Sequence, residues 1–308
     1  MIKEVSIVIH PEKEKDEKFI QKEICLALKK QGISFEEKDI STVFVKKSID
    51  ARHKNIKLFL RYKVYIGEKP ADENSLPEWK TTTGKKTVAI IGSGPAGLFG
   101  ALKLLEHGIK PVVIERGSET SKRKRDIAMI STTGIVDENS NYCFGEGGAG
   151  TFSDGKLYTR SNKRGNINGI LKIFTHFGAD KKILTDSHPH IGTDKLPAIV
   201  NNIRNFILQQ GGEFLFDTEC VDFILEKSED EKIVKGVVVK SHGEIKNIFA
   251  DAVLLATGHS ADSIYTLLAK LSPESLEAKT FAMGVRVEHP RNLIDSIQFH
   301  GHKNHELG

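Results

Sequence analysis

The chain has 308 residues, of which 39% are hydrophobic and 28% are charged, and this composition is typical of a soluble globular protein with about two domains. Its net charge of +4 is too small to indicate nucleic-acid binding by itself. Three widely separated cysteines argue against a disulfide scaffold. Without a long apolar run or a secretory signal pattern, we expect a cytoplasmic protein that has no membrane span.

The first 80 residues have the pattern of a small α+β module. The run EVSIVI predicts a strand, and apolar residues at roughly helical spacing before Gly32 predict a helix. The runs FEEKDISTVFVKKSID and KNIKLFLRYKVYIG predict two more strands, which gives the order β-α-β-β. Residues 81–86 end an aperiodic stretch rich in Pro, Ser, Thr and charges, and we interpret them as the linker.

A second domain is predicted over residues 87–262. Its predicted elements are, in chain order, a strand at 88–91, a helix at 96–107, a strand at 111–114, a helix at 195–210 and strands in the runs EFLFD, CVDFILE, KGVVVK and DAVLLATG. Residues 263–308 then have the pattern of an incomplete substrate or cap domain. Its start contains a helix in SADSIYTLLAKL and a strand in FAMGVRVEHP. The succession of strands and helices predicts the α/β class.

The segment between the first strand and the first helix of this domain reads Gly92-Ser93-Gly94-Pro95-Ala96-Gly97, which is the pattern G-x-G-x-x-G. With a strand before it and a helix after it, the pattern indicates a dinucleotide site. Gly92 allows the tight turn, Gly94 lets the backbone approach a pyrophosphate, and Gly97 lets the helix pack closely on the strand. The helix N-terminus offers free N–H groups and a positive dipole end to the phosphates, and Pro95 suits its first turn.

Glu115 ends the next strand, 18 residues after Gly97. A carboxylate at this position accepts hydrogen bonds from a ribose 2′-hydroxyl and repels a 2′-phosphate, so we expect a ligand other than NADP. Arg116 follows directly and is included in the predicted site.

Two later glycine-containing features favour a flavin over a nicotinamide cofactor. The run GEGGAGTFSDGKL at residues 145–157 can surround a cofactor with backbone N–H groups, although a surface loop of this composition needs no ligand. The strand DAVLLATG ends in Ala256-Thr257-Gly258, where the glycine permits a ligand to approach the carboxyl end of the strand. A plain exit from the strand into a loop is the alternative for this second feature.

Together these features resemble the flavoprotein oxidoreductases with one FAD-binding Rossmann domain, the glutathione-reductase-like superfamily. More narrowly, the chain resembles a bacterial family of FAD-dependent dehydrogenases or FAD-dependent proteins. This resemblance is carried by the dinucleotide fingerprint and by the runs KKSIDARHKNIK (46–57), ENSNYCFGEGGAGTFSDGKL (138–157), HPHIGTDKL (188–196), ATGHSADSIYTLL (256–268) and FAMGVRVEHPRNLID (281–295). It covers most of the chain and implies a Rossmann-like FAD/NAD(P)-binding domain after a small ferredoxin-like module.

The resemblance also implies a role for each part of the site. The three fingerprint glycines would hold the pyrophosphate, Glu115 the adenosine ribose, and the stretch from Gly148 to Lys156 the flavin half. The backbone near Val221 would face the adenine, and Thr257 and Gly258 would close the site. The predicted cofactor-binding residues are Gly92, Ser93, Gly94, Pro95, Ala96, Gly97, Glu115, Arg116, Gly147, Gly148, Ala149, Gly150, Thr151, Ser153, Asp154, Gly155, Val221, Ala256, Thr257 and Gly258.

The sequence departs from this superfamily at one point. FAD domains of the superfamily close with a late strand that ends in Gly-Asp, and the chain contains no Gly-Asp dipeptide. We therefore expect that the domain beginning at residue 263 is truncated. The missing C-terminal region of the same protein would then be the partner that completes the site.

Two residues are candidates for catalysis. Lys156 could stabilise negative charge on a reduced flavin, with a surface lysine as the alternative, and His259 could donate a proton, with a structural hydrogen bond as the alternative. The histidines have no convincing metal-ligand spacing, so we expect no metal. Basic residues within 46–63 could bind RNA, but a solvated basic face is the simpler interpretation, and we expect no nucleic-acid partner.

These inferences predict a flavin-dependent oxidoreductase in which FAD transfers hydride or electrons for an unknown small-molecule substrate. We find no dedicated NAD(P) domain, so NAD(P)H would act only as a transient electron donor. Two alternatives stay open. One is an NAD-binding dehydrogenase, and the other is a nucleic-acid-associated flavoprotein that uses the basic N-terminal module.

Overall fold

The structure is a computed structural model, and it describes residues 1–53, 55–70, 76–153, 155–157, 165–192, 194–227, 232–285 and 287–299. The N-terminal strands and helix are β1 (Ile2–Ile9), α1 (Glu17–Lys30), β2 (Ile40–Asp50) and β3 (Lys57–Ile66). They follow the predicted β-α-β-β order and form an antiparallel sheet in the order β1-β3-β2.

This small sheet carries α1 on one face. In β1 every second residue from Val5 to Ile9 is buried, and α1 buries Ile20, Ile24 and Leu28, which lie four residues apart. The two periods match a half-buried strand and an amphipathic helix, so the apolar sides of both elements meet in one core. The side chain of Asp16 accepts a hydrogen bond from the Phe19 N–H and caps the start of the helix.

The remaining strands and helices are β4 (Thr87–Ile91), α2 (Pro95–Glu106), β5 (Lys110–Ile114), α3 (Thr120–Thr133), α4 (Ile167–His176), α5 (Leu196–Gln209), β6 (Glu213–Leu215), β7 (Thr218–Lys227), β8 (Lys232–Ser241), β9 (Glu244–Phe249), β10 (Ala252–Leu255), α6 (Asp262–Leu271) and α7 (Arg291–Gln298). Four of these strands form a parallel sheet in the order β10-β4-β5-β6. The predicted α/β class with a Rossmann-like domain is confirmed.

The parallel sheet is covered on both faces, which explains why its strands are almost continuously apolar. Alternate residues of β4 and β5 pack against α2, α4 and α5 on one face. The other residues pack against the antiparallel sheet β7-β8-β9 and against α6. In the sheet, β5 lies on one side of β4 and β10 lies on the other, so the strand order reverses direction at β4. Open α/β sheets bind ligands at such a reversal of the strand order.

The N-terminal sheet and the segment after it contact the rest of the described chain at several points, for example at Lys47 and Trp79. The backbone of Lys47 in β2 exchanges hydrogen bonds with residues 185–187, at 2.9 Å to the Thr185 carbonyl and 3.1 Å from the Ser187 N–H. Trp79 packs against the aromatic rings of Phe177 and Phe206, in the core that contains α2 and α5. The domain boundaries read from the sequence stay a prediction.

The prediction of a strand in the run FAMGVRVEHP is wrong, because the described residues of that run form no strand. Phe281, Met283, Val285 and Val287 have the alternation of a strand, but all four side chains are exposed and no described strand pairs with them. Alternation alone cannot supply the hydrogen-bonding partner that a strand needs. The elements α3, α4, α7 and β9 were not predicted. Among the described residues, no helix is both long and apolar enough to cross a bilayer.

Candidate functional site

A cavity of about 660 Å³ opens at the carboxyl ends of β4, β5 and β10. The turn before α2 lines it, together with the loop at 143–150, the first residues of β7 and one side of α6. Parallel strands bring their carboxyl ends to the same edge of the sheet, so segments distant in sequence meet there. The volume lies within the usual range of small-molecule sites.

Gly92 and Gly97 shape the turn that follows β4. Gly92 has φ of +105°, and a Cβ placed there would collide with the carbonyl oxygen of Ala256 at the end of β10. A Cβ at Gly97 would collide with the carbonyl oxygen of Gly92. Only glycine lets the two strand ends and the helix approach this closely. The structural reason for both glycines is therefore close backbone packing around the cavity.

The N-terminus of α2 faces the cavity without a side-chain cap. Gly94 is the N-cap residue and makes no side-chain hydrogen bond, Pro95 has no N–H, and the first helical bond is donated by Leu98 to the Gly94 carbonyl. Gly94, Pro95 and Ala96 all line the cavity. The free N–H groups and the positive end of the helix dipole thus lie where an anion can bind.

Glu115 is buried at the end of β5 and links three backbone segments. One carboxylate oxygen, Oε2, accepts hydrogen bonds from the N–H and the hydroxyl of Ser93, both at 2.8 Å. The other, Oε1, accepts from the N–H groups of Gly117 at 2.9 Å and Gly145 at 3.0 Å. A carboxylate has about four acceptor positions, and all four are used. A ribose hydroxyl can therefore bind Glu115 only by replacing one of these donors, and the Ser93 hydroxyl is the one that can rotate away.

Arg116 stands beside Glu115 on the wall of the cavity. Its Nε–H donates to the side-chain oxygen of Asn139 at 2.8 Å, and its guanidinium lies 4.6 Å from the centre of the Phe144 ring. Glu219 is 3.8 Å from Nη1. These contacts hold a cation and an aromatic ring side by side at the cavity, an arrangement suited to a planar base or an anionic group.

The loop at 145–151 contains GEGGAG, which also has the spacing G-x-G-x-x-G. Here the spacing lies in a loop with no strand before it and no helix after it, so it is not a second dinucleotide fingerprint. The loop crosses the turn before α2, because the Gly147 N–H donates to the Ser93 carbonyl at 2.9 Å. Its carbonyl groups converge on the buried side chain of Arg123, a residue that no sequence motif indicated.

Glu146 is buried behind this loop. Its Oε2 accepts hydrogen bonds from the N–H and hydroxyl of Thr120 and lies 3.1 Å from Nη1 of Arg204, while Oε1 has no hydrogen-bond partner among the described residues. Burial raises the pKa of Glu146, because desolvation disfavours the carboxylate more than these partners favour it.

The opposite wall of the cavity is formed by β7 and α6. Glu219 of β7 accepts a hydrogen bond from the Ser263 hydroxyl at 3.4 Å, and the Tyr265 hydroxyl donates to the Gly258 carbonyl at 3.2 Å. Burial raises the pKa of Cys220 to about 12, so its thiol stays protonated and is not a nucleophile at neutral pH. Tyr265 was missed in the sequence because a helical tyrosine has no distinguishing spacing.

The structure brings most of the predicted cofactor-binding residues to the cavity. The predicted residues that line it are Gly92, Gly94, Pro95, Ala96, Glu115, Arg116, Gly148, Ala149, Gly150, Ala256, Thr257 and Gly258. The predicted residues that do not line it are Ser93, Gly97, Gly147, Thr151, Ser153, Gly155 and Val221. Three neighbours of Val221, from Thr218 to Cys220, line it instead. Asp154 lies outside the described residues.

The two catalytic candidates have different positions. His259 lines the cavity directly after the end of β10 and is exposed. Lys156 is exposed, pairs through its backbone with His190, and does not line the cavity. The catalytic roles of both residues stay predictions.

Residues 85–135 match the family described as FAD binding domain. This part of the chain is therefore similar to an FAD-binding domain. The match extends from just before β4 to just after α3, and therefore includes the turn before α2 and Glu115. This match confirms the predicted resemblance to bacterial FAD-dependent proteins. Residues 1–65 match a separate family, described as a domain of unknown function (DUF8436).

Two protein relatives are similar to different lengths of the chain. An uncharacterized protein of Clostridium beijerinckii is 37% identical over 303 residues, covering 93% of this chain and 54% of that protein. The flavin-containing monooxygenase FMO GS-OX-like 9 of Arabidopsis thaliana is 24% identical over 194 residues, covering 56% of this chain and 37% of that protein. The chain thus spans about half the length of the Clostridium relative.

Two solved structures have partial similarity to this chain. Thermovibrio ammonificans THI4 has 18% identity and a TM-score of 0.41, covering 61% of this chain and 63% of that chain. The glycerol-3-phosphate dehydrogenase of Bacillus halodurans, solved with FAD, has 14% identity and a TM-score of 0.37. The similarity covers 60% of this chain and 37% of that chain.

Proposed function

We propose that this protein is an FAD-dependent oxidoreductase that acts on a small-molecule substrate. One observation carries the proposal: the FAD-binding domain match covers the turn before α2, and that turn lines the cavity at the switch point of the parallel sheet. Sequence family and geometry therefore support the same site. The flavin-containing monooxygenase similarity agrees with this chemistry.

The residues present fit an adenine dinucleotide. Gly94 and Ala96 would hold the pyrophosphate with the uncapped N-terminus of α2, and Arg116 with the first residues of β7 would hold the adenosine. The loop backbone from Gly148 to Gly150, which lines the cavity, would lie against the diphosphate and the start of the flavin half. The bound flavin supplies hydride or electron transfer, which no side chain of the cavity can perform.

Three finer parts belong to the same proposal. NAD(P)H would reduce the flavin transiently. A region beyond the half of the Clostridium relative that this chain matches would supply contacts to the substrate. A cytoplasmic location is supported by the three cysteines, which are all free, as in most proteins of reducing compartments.

A single methyl group at Gly94 tests the proposed FAD site. Gly94 has an ordinary φ of −70°, and a Cβ there would contact only the Cα of Gly148 at 3.7 Å. Gly94→Ala should therefore fold normally and lower FAD affinity at least about tenfold, because the methyl group obstructs the approach of the pyrophosphate to the backbone. The measurement is a titration of the purified chain with FAD, followed by flavin fluorescence.

Gly165→Ala is the matched control, because a Cβ at Gly165 meets nothing within 4 Å and the residue lies outside the cavity. Its FAD affinity should equal that of the wild type. Reduction of the bound flavin by NADH and by NADPH, monitored by absorbance, then identifies the electron donor. A folded wild-type chain that binds no FAD would contradict the proposal.

A further inference from the structure

Arg123 is the largest fully buried side chain of the described residues, with 1% of its surface exposed. It lies in the first turn of α3, and its guanidinium donates to five backbone carbonyl groups of the loop at 141–148. The accepting oxygens are those of Asn141 (3.0 Å), Tyr142 (3.3 Å), Gly145 (3.2 Å), Glu146 (2.7 Å) and Gly148 (2.8 Å). The carbonyls of Gly145, Glu146 and Gly148 share the two N–H groups of Nη1, so one side chain orients a run of peptide groups.

The charge of Arg123 explains why so many carbonyl groups turn toward it. Burial lowers the pKa of Arg123, but a guanidinium remains protonated in proteins. A buried cation is costly unless hydrogen bonds satisfy it. The carbonyl oxygens satisfy this cation, and the Phe152 ring lies 5.4 Å from it.

The orientation of these carbonyls decides where the N–H groups point. In a trans peptide the C=O and the following N–H point in opposite directions, and the described residues contain no cis peptide. The Glu146 carbonyl faces Arg123, and the next N–H, that of Gly147, donates outward to the Ser93 carbonyl at 2.9 Å. The Gly148 carbonyl also faces Arg123, so the N–H of Ala149 points to the opposite side, and Ala149 lines the cavity.

The peptide between Gly148 and Ala149 lies beside the N-terminus of α2. A Cβ at Gly148 would be 3.2 Å from both the Cα of Gly94 and the Cδ of Pro95. An outward N–H at this position can share an anion with the free N–H groups of the helix. If the peptide rotated, its carbonyl oxygen would face the same anion and repel it.

We propose that Arg123 is a positioning residue for the diphosphate of the cofactor. It holds the Gly148 carbonyl away from the cavity and thereby presents the Ala149 N–H to the phosphate bound at the start of α2. This inference rests on the proposed function, because the diphosphate belongs to the same dinucleotide.

Arg123→Lys tests the inference with two probes, ADP and adenosine. A lysine keeps the positive charge but has one nitrogen in place of the planar fork, so it cannot hold all five carbonyls. The variant should lose about tenfold to hundredfold in ADP affinity, the effect of losing one hydrogen bond to a charged group, and should keep its adenosine affinity. Arg125→Lys, at an exposed position of the same helix, is the matched control and should bind both probes as the wild type does.

Calorimetric titration measures both affinities, and thermal unfolding checks each variant. If Arg123→Lys does not fold, Thr151→Val is used instead, because the Thr151 hydroxyl hydrogen-bonds to the same Glu146 and Gly148 carbonyls at 3.2 and 3.0 Å. Thr151→Val should also lower the affinity for ADP and leave the affinity for adenosine unchanged.

Wild-type ADP affinity in the folded variant, or equal losses for ADP and adenosine, would overturn the role of Arg123. A wild-type chain that binds ADP but not FAD would overturn the proposed function and leave the role of Arg123 standing. Binding of neither ligand would overturn both.

Discussion

At the scale of single residues, Glu115 has a structural role that the sequence pattern did not indicate. Its carboxylate accepts four hydrogen bonds, three of them from the backbone N–H groups of Ser93, Gly117 and Gly145. It therefore joins the turn before α2, the end of β5 and the glycine-rich loop before any ligand binds. Ribose binding, the role implied by the family resemblance, would be added to this one.

Glu115→Gln should destabilise the chain in the absence of cofactor. The amide group replaces one acceptor oxygen by a donor, so at least one buried N–H loses its partner. The expected loss in the free energy of unfolding is about 3 kcal/mol, and urea denaturation of the apoprotein measures it. Glu219→Gln, at the same cavity but more exposed, should change the stability by less than about 0.5 kcal/mol. Equal stability of Glu115→Gln and wild type would show that Glu115 serves the ligand alone.

Glu146 makes stability depend on pH in a defined direction. Burial raises its pKa above the unfolded value, so the folded chain holds the proton more tightly than the unfolded chain. The stability contributed by this group is complete below the unfolded pKa, about 4.3, and is lost as the pH rises through the folded pKa. Within that window the loss is about 1.4 kcal/mol per pH unit.

Glu146→Gln is neutral at every pH and should lack this decline, while its amide oxygen can still accept from Thr120. Denaturation of both proteins at a series of pH values checks the difference in slope. The control is Glu119→Gln, because Glu119 is more exposed and also contacts Arg204, at 2.9 Å. If wild type and Glu146→Gln show parallel profiles, the buried carboxyl is not the source of the pH dependence.

At the scale of elements, the sequence predicted β4, α2, β5, α5 and the strands from β6 to β8 because their apolar periods agree with their burial. The turn before α2 could be placed because glycine spacing and context coincide. The spacing alone is insufficient, as the loop at 145–150 shows. Most of the predicted site residues meet at one cavity because the strands that carry them are parallel neighbours.

The parts of the site that could not be predicted depend on packing in three dimensions. Helix α3 contains many charged residues and has a weak apolar pattern, so nothing in its sequence separates buried Arg123 from exposed Arg125. The burial of Arg123 follows only from the loop that folds over it. Trp79 likewise looks like part of a polar connection in the sequence, yet it packs in the core beside Phe177 and Phe206.

At the scale of the whole molecule, the charge of the N-terminal sheet is more balanced than its sequence suggests. Within the described part of the basic stretch 46–63, several cations lie beside carboxylates. The pairs are Lys47 with Glu14, Arg52 with Asp50, and Arg61 with Glu4. Paired cations attract a phosphate backbone less than free ones. The modest net charge of the chain also argues against nucleic-acid binding. The expectation of no nucleic-acid partner stays a prediction.

Among the described residues, the most exposed large apolar side chains lie at 281, 283 and 285. Phe281, Met283 and Val285 expose 84%, 90% and 91% of their surface, and they occupy alternate positions in the sequence. A contiguous apolar stretch of this kind promotes association. The purified chain should therefore form oligomers at micromolar concentration. A combined Phe281→Ser and Val285→Ser variant should shift it toward the monomer in size-exclusion chromatography with light scattering.

The control is a combined Ile245→Ser and Phe249→Ser variant, which changes two exposed residues of β9 and should leave the oligomers unchanged. Equal effects of the two pairs would mean that association reflects general surface hydrophobicity and not this segment.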